Sequence, residues 1–290
     1  MGKEKRVEFF KLQASGNDFI LIDNLKKNIS SFQLRKLAKD FCQRKFGVGA
    51  DGLLVIELSK KYDFRMHIFN PDGSEAEMCG NGARCVGLWA EIALGKNYVK
   101  FDTKAGAIEV EIEKGSLKRD KISMGEYKRV RIKMSEPRGL RLDFPVRVSK
   151  RLIKVNCINT GVPHIVVFVE GLDKIDIERI GRKLRFHKAF MPAGTNVDFV
   201  EVVDDEFIKI RTYERGVEAE TFACGTGVVA SAIVTGCKII KSQSHRYKFD
   251  VLTRSGDILQ VYFTKDGSKI SDVWLKGKAY FVYKGQLNAD

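Results

Sequence analysis

The chain has 290 residues, of which 44% are hydrophobic, and a formal net charge of +14. It is long enough for two domains with separate cores and too apolar for a disordered protein. The basic residues are scattered instead of forming one stripe, which favours a solvated surface over a nucleic-acid partner. No apolar run has the length of a membrane span, and the start MGKEKRVEFFKLQ lacks the apolar core of a signal peptide. We therefore expect a cytoplasmic protein without a membrane partner.

Strands and helices are predicted along most of the chain from β-branched and aromatic content, helical periodicity and capping residues. The predicted strands of the first half are 7–12, 18–23, 53–57, 64–70, 99–103 and 106–113, and those of the second are 197–203, 207–213, 247–252 and 257–264. The predicted helices are 31–41, 81–94, 175–184 and 226–237. Ser30 or Ser31 is the expected N-cap of the first helix. The charged segment 114–150 is expected to be irregular and to contain a domain boundary.

An internal repeat is the most informative feature of the sequence. FRMHIFNPDGSEAEMCGNG at 64–82 matches FIKIRTYERGVEAETFACGTG at 207–227, and each ends in Cys-Gly-x-Gly. Three further blocks match in the same order: ASGNDFILID with AGTNVDFVEV, ARCVGLWAEIAL with VVASAIVTG, and FDTKAGAIEVEI with VLTRSGDILQVY. This order predicts an α/β fold of the α+β type with two pseudo-symmetric domains from an internal duplication. Each domain is expected to have a mixed, mostly antiparallel sheet or barrel around a central helix, with the active site in the cleft between them.

Cys79 and Cys224 occupy the same place in the two repeats, where a strand is predicted to lead into a helix. A helix N-terminus presents unpaired N–H groups and partial positive charge. We therefore expect a lowered pKa at both thiols and a place for a substrate carboxylate. Inversion at a carbon needs one group to remove a proton from one face and another to deliver a proton to the opposite face. The duplicated thiols therefore predict an amino-acid epimerase or racemase with Cys79 and Cys224 as its acid–base pair.

The sequence gives no sign of a metal or an organic cofactor. The six cysteines include no CxxC pair, the four histidines are dispersed, and no phosphate-binding loop is present. We therefore expect neither kind of cofactor. The other cysteines are expected to be small, buried hydrophobic residues: Cys42, Cys85, Cys157 and Cys237.

The segments FNPDGSEAEMCGNGARC and YERGVEAETFACGTG are similar to the two signature segments of the diaminopimelate epimerases. ASGNDFILID, FGVGADGLL, PAGTNVDFV, NTGVPH and VWLKGKAYFVYKG also have counterparts there, so the resemblance covers nearly the whole chain. It implies cofactor-independent interconversion of LL- and meso-diaminopimelate, in lysine and peptidoglycan precursor synthesis, by a homodimer. It also implies that the last strand returns to the first domain. The expected domains are then 1–126 plus 276–290, which carries Cys79, and 127–275, which carries Cys224.

The resemblance further implies roles for individual residues. Besides the catalytic pair, the matching substrate-binding positions are Asn17, Asn70, Gly80, Asn81, Asn196, Glu214, Arg215, Gly225 and Thr226. Arg215 suits the distal carboxylate of diaminopimelate, and Glu214 suits its ammonium group. Further candidates are His164, which matches a family active-site position, and Asn159 and Thr160, either of which could replace an amide that many members carry where Val162 stands. Some members also carry Gln where Gly52 stands.

Two alternatives stay open on the sequence alone. The first is another two-cysteine amino-acid racemase or epimerase, either a broad-spectrum relative of the diaminopimelate epimerases or one of the proline racemase or hydroxyproline epimerase type. Proline racemases and hydroxyproline epimerases tend to carry His at the position of Asn81, and their substrates have no second amino-acid end. A non-enzymatic nucleic-acid-binding module would account for the positive charge, but it leaves the duplicated cysteine motif unexplained.

Overall fold

The fold is given by a computed structural model, which describes residues 6–26, 28–114, 125–148, 151–240 and 245–288. The helices are α1 (Ser31–Phe41), α2 (Gly80–Leu94), α3 (Ile177–Arg185) and α4 (Gly225–Lys238). The strands are β1 (Arg6–Ala14), β2 (Asn17–Asp23), β3 (Gly52–Glu57), β4 (Phe64–Phe69), β5 (Glu75–Ala76), β6 (Tyr98–Thr103), β7 (Gly106–Ile112), β8 (Tyr127–Lys133), β9 (Arg138–Val148), β10 (Arg151–Asn159), β11 (Pro163–Phe168), β12 (Asn196–Val202), β13 (Phe207–Glu214), β14 (Ala219–Thr221), β15 (Arg246–Leu252), β16 (Ile258–Asp266) and β17 (Lys269–Asn288). The chain divides into a first compact unit, Met1–Ile132 with Gly277–Asp290, and a second, Lys133–Lys276.

In the first unit, eight strands close into a barrel. The order of pairing is β1–β2–β3–β4–β6–β7–β8–β17, and β17 pairs again with β1. The pairs β2–β3 and β4–β6 are parallel, whereas β1–β2, β3–β4 and β6–β7 are antiparallel. Alternation of apolar and polar residues, as in β6 and β7, turns one face of each strand inward.

Helix α2 lies inside this barrel, because its residues 81–90 are all buried. Small residues make that position possible. A Cβ on Gly87 would lie 2.7 Å from Val110 Cγ1 and 2.9 Å from Val130 Cγ1. The helix therefore lies so close to β7 and β8 that only glycine fits at this position. Helix α1 packs on the outside, where Leu34, Leu37 and Ala38 join a core cluster with residues of β2 and β3.

The second unit repeats this arrangement. Its strands pair in the order β9–β10–β11–β12–β13–β15–β16–β17, and the parallel pairs β11–β12 and β13–β15 correspond to β2–β3 and β4–β6. Residues 227–236 of α4 are all buried, as in α2, while α3 packs outside against β12 and β13. The predicted class, two duplicated α+β domains built around a helix, is therefore confirmed.

The element boundaries agree with the sequence patterns in most places. Helix α1 spans the predicted residues, and Ser30 is its N-cap in a capping box with Gln33. The prediction of an irregular segment at 114–150 is wrong for its described part, which forms β8 and β9; residues 115–124 and 149–150 lie outside the described residues. In β8, YKRVRIK, charged residues alternate with Val130 and Ile132, which is a strand pattern that the high charge obscured.

Within the described residues, none of the helices has both the length and the apolar character that crossing a membrane requires.

Candidate active site

Cys79 is the N-cap of α2, and it follows the end of the short strand β5 by three residues. Its backbone is extended, with φ −140° and ψ 122°, and its sulfur accepts a hydrogen bond from the Gly82 N–H at 3.5 Å. The thiol thus takes the place that Ser, Thr or Asp usually has at a helix start. Its side chain is half-buried. The backbone N–H groups of the first helical turn point towards the N-terminus of the helix, and an anion at that end can accept hydrogen bonds from them.

Asn81 and Asn17 lie together next to this cysteine. The buried Asn81 amide donates to Asn17 Oδ1, and Asn17 Nδ2 donates to Asp51 Oδ2 at 3.1 Å. Arg84, buried inside α2, donates to Asn81 Oδ1 and to Ser15 Oγ, the latter at 3.1 Å. Each amide therefore has a fixed orientation. We refer to Cys79, Gly80, Asn81 and Asn17 as the first cysteine site.

Asn70 lies in the turn between β4 and β5. Its side chain donates to Ser74 Oγ at 2.9 Å, and its backbone N–H bonds to the Ser74 carbonyl oxygen at 2.8 Å. The residue is exposed. Its hydrogen bonds are those of a turn residue, and none of them joins it to the first cysteine site.

Cys224 is the N-cap of α4 and also follows a short strand, β14, by three residues. Unlike Cys79 it is buried. Its sulfur lies 3.4 Å from Thr226 Oγ1, which lies 2.9 Å from His164 Nε2. His164 Nδ1 lies 2.7 Å from Asp198 Oδ2. We refer to Cys224, Gly225, Thr226 and His164 as the second cysteine site.

Three further predicted residues surround the second cysteine site. Asn196 donates from Nδ2 to the Pro163 carbonyl oxygen at 3.0 Å, and its Oδ1 accepts the Arg215 backbone N–H at 2.8 Å. The Arg215 guanidinium donates to the Ala193 carbonyl oxygen at 3.2 Å. Thr160 is buried and donates to the carbonyl oxygen of Thr226 at 2.9 Å, so its hydroxyl supports the start of α4.

Asn159 and Gly52 bear on the two departures from the family pattern. The exposed Asn159 accepts the Gly161 N–H at 2.9 Å in the turn between β10 and β11. At Gly52, a Cβ would lie 3.0 Å from the Phe69 carbonyl oxygen and 3.6 Å from the Phe19 ring. Glycine at this position lets β3 approach both phenylalanines closely.

The expectation of a lowered thiol pKa is wrong for Cys224. Burial raises the pKa of this thiol, and the carboxylates of Glu214 and Asp198 raise it further. The Thr226 hydroxyl and the Gly227 N–H lower it, but they are outweighed. Burial also raises the pKa of Glu214. A thiolate at position 224 therefore requires a nearby group that takes the proton.

The remaining cysteines largely follow the prediction. Cys42, Cys85 and Cys157 are buried, whereas Cys237, near the end of α4, is only half-buried. No disulfide joins any of the six cysteines, all of which lie in the described residues. Among these residues, no group of three or more His, Cys, Asp or Glu side chains is arranged to hold a metal ion.

The structure adds residues that the sequence patterns missed. Asp198 is fully buried and contacts His164, and Thr212 donates to Asp198 Oδ1 at 2.8 Å. Asp51 and Arg84 orient the amides of the first cysteine site in a similar way. Two features of the sequence could have indicated these residues: an acidic residue within the apolar strand NVDFVEV, and an arginine within the apolar helix ARCVGLWA. Buried charges are rare unless they are paired, so each of them indicates a buried polar partner.

Two α+β units that each surround a cysteine-capped helix define a fold shared with solved structures. A PhzF-family phenazine biosynthesis protein from Bacillus anthracis aligns with a TM-score of 0.72 and 18% identity over 98% of this chain and 99% of that chain. A hydroxyproline epimerase from Agrobacterium vitis aligns with a TM-score of 0.67 and 14% identity over 100% and 95%. At such identities the likeness shows the fold alone.

Sequence comparison then gives the family. The family model described as diaminopimelate epimerase matches residues 9–130 and 156–282. Diaminopimelate epimerases from Aquifex aeolicus and Archaeoglobus fulgidus are 41% and 38% identical, over 98% and 97% of this chain and 99% and 96% of those proteins. The chain belongs to the diaminopimelate epimerase family, which makes it an isomerase and confirms the resemblance found in its motifs.

Proposed function

We propose that this chain converts LL-diaminopimelate to meso-diaminopimelate without a cofactor, with Cys79 and Cys224 as the acid–base pair. The observation that carries this proposal is that the same arrangement of a cysteine and a helix occurs in both units. In each unit, a cysteine caps the N-terminus of a helix that is buried within the strands. A reaction with a single base would need only one such cysteine, whereas inversion needs an acid–base group on each face of the substrate carbon.

The reaction is a proton exchange at one carbon. The thiolate of one cysteine takes the Cα proton and becomes a thiol, and the thiol of the other cysteine gives its proton to the opposite face and becomes a thiolate. The intermediate carries negative charge that spreads into the α-carboxylate. Donors fixed before the reaction stabilise such charge best, because they need no reorganisation. The backbone N–H groups of Gly80, Asn81, Gly225 and Thr226, at the two helix N-termini, supply these donors in the proposal.

The distal amino-acid end of the substrate requires its own polar contacts. Arg215 suits the distal carboxylate and Glu214 the ammonium group, and Asn17, Asn70 and Asn196 suit the remaining polar atoms. The positions of two of these residues support their assignment as binding residues. Asn196 is hydrogen-bonded to the Arg215 backbone, and Asn17 is hydrogen-bonded to Asn81. Many family members carry an amide side chain at the position of Val162. In this chain Asn159, at the same turn, has an exposed amide that could take its place.

The same proposal includes a cellular setting and an assembly. Both catalytic thiols must be reduced to work, and no disulfide joins any of the six cysteines, all of which the structure describes; this suits a reducing cytoplasm. The meso product would enter lysine and peptidoglycan precursor synthesis. We also propose a homodimer on the basis of the family resemblance, and sedimentation of the purified protein would measure its mass.

The test is conversion of LL-diaminopimelate to the meso form by reduced enzyme, followed by chiral chromatography. Cys79→Ala and Cys224→Ala should each lose about 10²–10⁴-fold in kcat, as expected for removal of one proton-transfer group. Cys237→Ala, on α4 but far from its start, is the matched control and should keep the wild-type rate. L-proline and simple L-amino acids serve as competing substrates. Faster conversion of one of these would keep the two-cysteine chemistry and contradict the proposed substrate.

A further inference from the structure

A continuous line of hydrogen bonds runs from Cys224 into the interior of the second unit. It passes from the sulfur to Thr226 Oγ1 over 3.4 Å, to His164 Nε2 over 2.9 Å, and from His164 Nδ1 to Asp198 Oδ2 over 2.7 Å. The side chains of His164 and Asp198 are fully buried. Every contact in the line is of hydrogen-bond length, once the larger radius of sulfur is taken into account.

The chemistry of these groups gives each hydrogen a direction. The Asp198 carboxylate only accepts, so His164 Nδ1 carries a hydrogen and donates it. In the neutral imidazole, Nε2 is then an acceptor, and the Thr226 hydroxyl donates to it. The lone pairs of Thr226 Oγ1 are left to accept from the Cys224 thiol. Asn196 Nδ2, a donor only, lies 3.5 Å from Nε2 and fits the same assignment.

Asp198 is held from two further sides. Thr212 on β13 donates to Oδ1 at 2.8 Å. Gly227 on α4 leaves so little space that a Cβ there would lie 2.4 Å from the same oxygen. A buried carboxylate is destabilising unless it is paired. The hydrogen bonds from His164 and Thr212 offset this destabilisation, and because each binds a different oxygen they also fix the orientation of the carboxylate.

We propose that Asp198 is a positioning residue for proton transfer at Cys224, because it holds His164 as the acceptor of a proton that leaves the thiol through the Thr226 hydroxyl. The proposal rests on the proposed role of Cys224 as an acid–base group. In the forward step, the sulfur proton moves to Thr226 Oγ1 while the Thr226 hydrogen moves to His164 Nε2. The products are a thiolate and an imidazolium, and the reverse step restores both neutral groups.

The step balances charge within the buried region. The imidazolium lies against the Asp198 carboxylate, which stabilises it as an aspartate stabilises the histidine of a Ser-His-Asp triad. Burial and the charges of Glu214 and Asp198 raise the pKa of Cys224, so direct loss of its proton to water is unfavourable. The relay supplies an acceptor that is already in contact, and it leaves Glu214 available for the substrate.

The first test measures His164 directly by nitrogen NMR of protein labelled with ¹⁵N-histidine, which is practical because the chain has four histidines. Wild-type His164 should show a hydrogen on Nδ1 and none on Nε2. Asp198→Asn should shift this tautomer equilibrium toward Nε2. Glu201→Gln on the same strand, whose carboxylate caps the Gly171 N–H, is the control and should leave it unchanged. An unchanged tautomer in Asp198→Asn overturns the proposal.

The second test measures thiol reactivity without substrate, so a wrong substrate assignment does not affect it. Methyl methanethiosulfonate should modify Cys224 about tenfold more slowly in Asp198→Asn, because the thiolate is the reactive form and the loss of the oriented proton acceptor outweighs the loss of the Asp198 charge. Cys79 in the same molecule should keep its rate. Thr226→Val should slow Cys224 similarly, and Thr226→Ser should restore it. Should Asp198→Asn fail to fold, the threonine pair decides: equal Cys224 rates in Thr226→Val and Thr226→Ser overturn the relay.

Discussion

Gly82 and Gly227 occupy the same position in the two Cys-Gly-x-Gly motifs, but an added methyl group would meet different neighbours. At Gly82, a Cβ would lie 3.1 Å from Leu54 Cδ2, the end of a flexible side chain. At Gly227, it would lie 2.4 Å from Asp198 Oδ1 and 3.3 Å from His164 Cε1. We therefore expect Gly82→Ala to be tolerated and Gly227→Ala to reduce both stability and activity.

The magnitudes follow from the two environments. Alanine is favoured over glycine in a helix by about 1 kcal/mol, which applies at both positions. At Gly82 a shift of the Leu54 methyl by a few tenths of an ångström removes the clash, so the free energy of unfolding should change by less than about 1 kcal/mol. At Gly227 the carboxylate is fixed by His164 and Thr212. Overpacking and a damaged hydrogen bond there should cost about 3 kcal/mol, or about 2 kcal/mol net of the helix gain.

The assay is thermal unfolding of the two alanine variants beside the wild type, together with their epimerase rates. A loss of about 2 kcal/mol corresponds to a fall of roughly 4–8 °C in Tm for a chain of this size. Gly227→Ala should show that fall and a rate lower by about 10²-fold, since the relay is displaced. Equal Tm and equal rates in Gly82→Ala and Gly227→Ala would refute the tight contact between α4 and Asp198.

Three further perturbations have distinct outcomes. Ser30→Ala removes the capping box of α1 and should lower the free energy of unfolding by about 1 kcal/mol in urea, without a change in rate; an unchanged urea midpoint contradicts this. Burial raises the pKa of Cys42 from 9.0 to about 11. The folded state therefore keeps a proton that the unfolded state releases, so the contribution of this thiol to stability should be full below about pH 9 and fall by roughly 2–3 kcal/mol towards pH 11. Because burial also raises the pKa of Cys85, Cys157, Cys224 and Cys237, Cys42→Ala should make the decline smaller by that amount without abolishing it. Asp51→Ala removes the acceptor of the Asn17 amide and should raise KM about tenfold with a smaller change in kcat; an unchanged KM argues against a binding role for Asn17.

Much of the fold was accessible from the sequence because local patterns were strong. The repeat predicted duplicated units, and Ser30 or Ser31 was the expected N-cap of α1, where the structure has Ser30. Strands β10 and β11 are absent from the predicted strands, although PHIVVF in β11 is apolar; the turn motif NTGVPH joins the two strands. The turn is tighter than it looked, since Gly161 has φ +116° and lets β10 fold straight back onto β11.

The site was accessible only in part. The cysteines were found because each carries its own motif, so no distant contact was needed to recognise them. The relay from Thr226 through His164 to Asp198 was not found, because it joins residues from α4, β11 and β12 that only the parallel pairing of β11 with β12 brings together. The pKa of Cys224 had the wrong sign in the prediction because burial, which a local pattern does not reveal, outweighs the effect of the helix N-terminus.

The measurement that tests the two-cysteine reaction most directly is the fate of the Cα proton of LL-diaminopimelate in deuterium oxide. With one base on each face, the meso product should carry deuterium at the inverted carbon from the first turnover, while unreacted LL substrate keeps its proton early in the reaction. NMR and mass spectrometry measure both pools, and Cys79→Ala and Cys224→Ala should form labelled product about 10²–10⁴-fold more slowly than the wild type. Meso product that retains the original proton, or early deuterium in the unreacted substrate at the same rate as in the product, would contradict a reaction shared between Cys79 and Cys224.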